Sequence, residues 1–108
     1  MQNLIIDIKT SDEILTNVDK GFRILKGLIK INRFTPVKYE EHVFPNSAYS
    51  AFFLLAESHI SIHSWLEERY LSIELFGCTK LDIDRSLEYL RECVQIDRIK
   101  YSVITRGF

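Results

Sequence analysis

Apolar and polar positions along the 108-residue chain change period several times, and each change marks an element. Asn3 to Lys9 alternates and is rich in Ile and Leu, which predicts a strand ending at Thr10-Ser11. From Ser11, an N-cap with Asp12 and Glu13 in the first turn, apolar residues recur at Ile14, Leu15, Val18, Phe22, Leu25, Leu28 and Ile29. That spacing predicts a helix, which Gly21 and Gly27 weaken without overturning. Thr35 to Phe44 alternates again, with Val37, Tyr39 and Val43 on one parity and Lys38 and Glu40 on the other, before Pro45-Asn46-Ser47 marks a turn. Strands are predicted next at Ala51–Ala56 and His59–Trp65, joined at Glu57-Ser58, and at Tyr70–Phe76. Asp82 to Val94 places Ile83, Leu87, Leu90 and Val94 at helical spacing, and Arg98 to Ile104 closes the chain as a last strand.

The order reads βαβββαβ. Its most natural packing is an α+β two-layer sandwich, an antiparallel sheet with two helices on one face, in a single domain spanning residues 1–108. Apolar residues on both parities, as in Phe52-Phe53-Leu54-Leu55, imply that the free sheet face or edge is covered by dimerisation.

Composition changes this picture little. An apolar fraction of 46% with 27% charged residues is that of a soluble globular chain. Fourteen basic against 15 acidic residues leave no electrostatic footprint for nucleic acid or anionic lipid. The N-terminus has no basic and then apolar leader, and no stretch approaches a membrane span, so a cytoplasmic protein is expected. Cys78 and Cys93 have neither metal-type spacing nor a context that favours a disulfide, and no metal site is expected.

Candidate chemistry concentrates in Leu55 to Glu67 and the Leu75-Phe76-Gly77-Cys78 run that follows. Two histidines, several hydroxyls, a carboxylate and a thiol on neighbouring strands suit acid/base work. Taken one at a time they are also ordinary: Ser58 as a turn serine, His63 as a satisfied histidine, Cys78 as a small buried hydrophobe, and His59, Ser61, His63 and Trp65 as the polar face of one strand. Cys93, beside Tyr89 and Leu90 on an amphipathic helix, reads as packing.

Together these residues resemble the signature of the bacterial and archaeal pyruvoyl-dependent S-adenosylmethionine decarboxylases. Glu57-Ser58-His59-Ile60-Ser61-Ile62-His63 matches the family's Glu-Ser-His-x-x-Ile-His, Ser64-Trp65-Leu66-Glu67 its Thr-Trp-Pro-Glu, and Phe76-Gly77-Cys78-Thr79 its Phe-Thr-Cys-Gly. Spacing agrees as well, the histidine falling five and the cysteine twenty residues after the serine.

The resemblance implies self-cleavage between Glu57 and Ser58 into a β chain, residues 1–57, and an α chain, residues 58–108. Ser58 would become a pyruvoyl group, the cofactor on which the substrate amine forms a Schiff base before losing carbon dioxide. By the same resemblance His63 assists processing with support from Ser50, and Cys78 is the proton donor. Phe44 and Trp65 are candidates for stacking on the substrate, and Glu67 and Glu74 for its polar contacts. In an unbroken strand Ser58 and His63 would face opposite sides, so a turn or bulge is expected at Glu57-Ser58. Active sites in this family lie between two processed protomers, which implies a homodimer.

Departures lie away from the cut: Leu66 stands for proline, Gly77 for threonine, Thr79 for glycine and Glu74 for aspartate, and the glycines usual before the third strand are missing from Pro45 to Ala51. S-adenosylmethionine decarboxylation, which feeds spermidine synthesis, is the leading expectation. The alternatives are a pyruvoyl-dependent ornithine or arginine decarboxylase, with Glu41, Glu67 or Glu74 pairing the distal cation, and a non-catalytic regulatory homologue.

Overall fold

The structure, a computed structural model, describes residues Met1–Phe108. Six strands, β1 (Gln2–Thr10), β2 (Pro36–Val43), β3 (Tyr49–Leu55), β4 (Ser58–Trp65), β5 (Tyr70–Gly77) and β6 (Ile96–Thr105), form one sheet in the order β2-β3-β4-β5-β1-β6. Every neighbouring pair is antiparallel. Helices α1 (Val18–Ile31) and α2 (Ile83–Cys93) lie on one face of the sheet, giving the expected α+β sandwich. The order βαβββαβ is corrected: it drops one of the four strands predicted between the helices at residues 35–44, 51–56, 59–65 and 70–76, and all four are present.

Strand alternation decides which side chains meet the helices. Leu4, Ile6 and Ile8 of β1, Tyr49, Ala51, Phe53 and Leu55 of β3, Ile60 and Ile62 of β4, and Leu71, Ile73 and Leu75 of β5 form the core with Ile24, Leu25, Leu28 and Ile29 of α1 and Leu87 and Leu90 of α2. Cys93 packs against the edge of this cluster. Polar residues inside are satisfied: Asn32 ties the end of α1 to the start of α2 by donating to Ser86 Oγ at 3.0 Å and accepting from the Asp82 N–H at 2.8 Å.

The first helix begins later than the spacing predicts. Asp12, not Ser11, is the first cap, and it caps only a short 3-10 turn, Glu13–Thr16; Asn17 then caps α1 by accepting from the Lys20 N–H at 3.0 Å. Two capping side chains five residues apart divide what the apolar spacing reads as one helix. Gly21 stays small because the Tyr49 hydroxyl, donating to the Ile14 carbonyl at 2.7 Å, occupies the space a Cβ would take. β2 is an edge strand on which only Tyr39 is partly buried, so the alternation of Val37 and Val43 does not place them in the core.

The other sheet face carries no helix. Ser50, Phe52 and Leu54 of β3, His59, Ser61, His63 and Trp65 of β4, and Ser72, Glu74 and Phe76 of β5 lie on it. Phe52, Leu54 and Trp65 are each 40–45% exposed there.

Candidate active site

A two-residue loop, Ala56-Glu57, joins β3 to β4, and Ser58 is the first residue of the new strand. The β3–β4 ladder runs without a register shift, so the required break is a turn rather than a bulge. Ser58 has φ 154°, unlike the three other non-glycine residues at positive φ, which lie between 50° and 73°. A serine held there stores about 1–3 kcal/mol of backbone strain.

Neighbouring groups hold this peptide unit from three sides. The Glu57 carboxylate accepts from the Thr35 N–H at 2.9 Å and from the Thr35 hydroxyl at 3.0 Å. The backbone bond from Thr35 is the main reason the Glu57 carboxyl is held below its ordinary range. On the carbonyl side, the Cys78 N–H donates to the Glu57 oxygen at 3.2 Å, which polarises the bond joining Glu57 to Ser58. On the hydroxyl side, Ser58 Oγ lies 3.3 Å from His59 Nδ1, and the opposite nitrogen of that ring is 3.0 Å from Glu74 Oε1. With side chains 40% and 37% exposed, the His59–Glu74 pair adds at most about 1 kcal/mol to stability.

Cys78 reaches this cluster because Ser58 pairs with Gly77, the residue before it, and its thiol is free and exposed. Gly77 is glycine for a local reason: a Cβ there would come within 2.8 Å of the Phe34 ring. That ring fills the space that the threonine side chain would take in the resembled motif.

A second cluster sits at the far end of β4. His63 Nδ1 lies 2.8 Å from Ser50 Oγ across the β3–β4 ladder. Burial lowers the His63 pKa, and the charge of Glu74 pulls the other way without reversing it, so the ring is neutral at neutral pH. Phe44, Trp65 and Glu67 line a cavity of about 490 Å³ together with Ser50, and Trp65 stacks on Tyr70 with centroids 4.9 Å apart. A smaller cavity of about 390 Å³ beside β6, lined by Asp7, Lys9, Tyr70 and Arg98 among others, contains none of the candidate residues.

The candidate residues therefore fall into two groups. Glu57, Ser58 and Cys78 meet at the β3–β4 turn, with Glu74 joined to them through His59, whereas Ser50, His63, Phe44, Trp65 and Glu67 meet at the other end. Five residues of strand at about 3.3 Å each put Ser58 and His63 roughly 16 Å apart within one chain. Glu74 stands with His59 rather than with the stacking residues. Thr35 and His59 had no assigned role in the sequence; the cross-strand placement of His59 on the same face as Glu74 is the signal that identifies it.

Comparison with known proteins gives one consistent result. The family profile described as S-adenosylmethionine decarboxylase matches residues 2–107. An S-adenosylmethionine decarboxylase proenzyme from Clostridium botulinum (strain Loch Maree / Type A3) is 30% identical over 107 residues, which cover 97% of this chain and 92% of that relative. A proenzyme of the same name from Thermococcus onnurineus is also 30% identical, over 88% of this chain and 68% of its own length. The crystal structure of the adenosylmethionine decarboxylase from Aquifex aeolicus superposes with a TM-score of 0.85 at 24% identity, covering 99% of this chain and 90% of that one, and so shares the fold.

Proposed function

The chain belongs to the S-adenosylmethionine decarboxylase family, and from that premise we propose that it cuts itself at Glu57–Ser58 and uses residue 58 as its cofactor. It is a decarboxylase of the proenzyme type, and its reaction is the loss of carbon dioxide from S-adenosylmethionine. The observation that carries the self-processing reading is the Glu57–Ser58 peptide group, strained at Ser58, hydrogen-bonded at its carbonyl and flanked by an imidazole.

Processing follows from the residues at the turn. Ser58 Oγ attacks the Glu57 carbonyl carbon, the developing oxyanion is met by the Cys78 N–H, and the C–N bond breaks to leave an ester and a free amine on Ser58. Removal of the Ser58 Cα proton then expels the Glu57 carboxylate and leaves dehydroalanine, whose hydrolysis releases ammonia and gives the pyruvoyl group. Thr35 binds the Glu57 side chain throughout, which fixes the leaving residue while the bond to it changes. The products are residues 1–57 and residues 58–108.

The turn fits the pyruvoyl group because ladder pairing to Gly77 and Leu55 keeps residue 58 in place once its peptide bond is gone. Its carbonyl supplies an electron acceptor for the substrate amine. Cys78 Sγ, free and exposed on the adjoining strand, delivers the proton that replaces carbon dioxide. Phe44 and Trp65 offer aromatic faces to the adenine and the sulfonium, and Glu67 a carboxylate to the polar part of the substrate.

Two site halves roughly 16 Å apart on one strand are joined most simply by a second copy. A homodimer formed through the helix-free faces sets the Ser50–His63 pair of one protomer against Ser58 of its partner, where the neutral imidazole of His63 assists processing. The exposed Phe52, Leu54 and Trp65 support this interface. No helix is long and apolar enough to cross a membrane. The two free thiols support a cytoplasmic setting.

Denaturing mass spectrometry tests the cut: two fragments meeting at residue 58, the second without a free amino terminus, are expected, and a single uncut chain after long incubation refutes it. Carbon dioxide release from S-adenosylmethionine, and none from ornithine or arginine, is the expected substrate result.

A further inference from the structure

Of the three histidines, His59 alone is placed against the Ser58 hydroxyl in the same chain. Its surroundings fix which nitrogen carries the proton. A carboxylate only accepts, so the Nε2 facing Glu74 at 3.0 Å bears the hydrogen, and Nδ1, 3.3 Å from Ser58 Oγ, presents a lone pair to a hydroxyl that can donate. Nucleophile, base and orienting carboxylate thus stand in sequence, each within or near hydrogen-bonding reach of the next. The antiparallel register produces this: His59 and Glu74 lie on the same face of adjoining strands, and the Phe76 ring, edge-on to the imidazole at 5.7 Å, limits its rotation.

We propose that His59 is the general base of the first processing step, acting within its own chain, and that Glu74 is the positioning residue that holds its tautomer. The inference rests on self-processing at Ser58 and specifies what starts it. The proton passes from Ser58 Oγ to His59 Nδ1 as Oγ bonds to the Glu57 carbon. When the C–N bond breaks, the same nitrogen returns that proton to the departing Ser58 amine. No charge remains on His59. His63 serves the site of the partner protomer, so the two histidines divide the work between an initiating base in cis and an assisting one in trans.

The test follows the appearance of the two fragments in freshly translated full-length chain by denaturing mass spectrometry. His59→Ala is expected to slow the cut by about 10²–10⁴-fold, and added imidazole to restore part of the rate. Glu74→Gln is expected to cut about 10-fold more slowly, and Glu74→Asp, which keeps a carboxylate, to recover part of that loss. A wild-type cutting rate in folded His59→Ala overturns the proposal while leaving self-processing intact; an uncut wild-type chain overturns self-processing itself. A folded His59→Ala chain that stays uncut with imidazole shows a structural role and also overturns it. If His59→Ala fails to fold, His59→Gln, which can keep the bond to Glu74, decides: slow cutting supports the proposal and normal cutting overturns it.

Discussion

The Cys78 N–H meets the carbonyl oxygen of Glu57 at 3.2 Å, so the residue proposed as proton donor in turnover also polarises, through its backbone, the bond proposed to be cut. These two contributions separate cleanly, because a side-chain substitution leaves the N–H in place. Cys78→Ala is expected to be cut at nearly the wild-type rate, yet to decarboxylate about 10²–10⁴-fold more slowly. Fragment formation and carbon dioxide release, measured on one preparation, check both halves.

A composite site predicts complementation. Ser58→Ala chains have no nucleophile and His63→Ala chains lack the assisting imidazole, but a mixed dimer contains one complete site. Co-expression should restore cutting in the His63→Ala chain alone, read from fragment masses. Failure to cut in verified mixed dimers would count against the trans arrangement.

His63 also gives the fold a pH dependence. Its folded pKa lies below the ordinary 6.5, so the unfolded chain binds more protons as pH falls past 6.5. The contribution to stability is complete above 6.5 and declines below it until the lower folded pKa is reached. His63→Gln should flatten that limb of a Tm–pH curve measured in the uncut Ser58→Ala background.

Glu57 acts in the same sense at lower pH. Its depressed carboxyl contributes stability above its ordinary 4.5 that is lost as pH falls toward its folded value. Thr35→Val removes the hydroxyl bond but keeps the N–H, so it should shrink the loss without abolishing it, and should slow the cut. Tm between pH 5 and 3 (roughly the range around an ordinary carboxyl) and fragment kinetics measure the two effects.

Gly77→Ala drives a Cβ to 2.8 Å from the Phe34 ring. A cost of about 1–3 kcal/mol is expected. The same substitution should cost less in a Phe34→Leu background, and a double-mutant cycle from urea unfolding tests the coupling.

Alternation of apolar residues made the six strands legible, because one parity of each inner strand had to meet the helices. The helix start at Val18 was not legible, since Ser11, Asp12 and Asn17 are all good capping types and only the fold shows that Asp12 and Asn17 each serve their own turn. In the candidate site, the signature marked Ser58, His63 and Cys78, but five residues in sequence are close only in a helix. The strand predicted over His59–Trp65 already separates Ser58 from His63, but no local pattern says what each half of the site meets. The pairing of His59 with Glu74, 15 residues apart, is set by strand register, as is the reach of Thr35 to Glu57 across 22 residues.

Strand order also determines what a break at Glu57–Ser58 leaves behind. The first fragment keeps β1, β2 and β3 and the second β4, β5 and β6, yet β1 lies between β5 and β6, and β3 is zipped to β4. Three ladders, those of β3 with β4, β5 with β1 and β1 with β6, therefore run between the pieces. Each fragment would clasp the other, so a chain cut there would not come apart. Once unfolded, however, the pieces must find each other in solution, and a first-order folding reaction has become a second-order one.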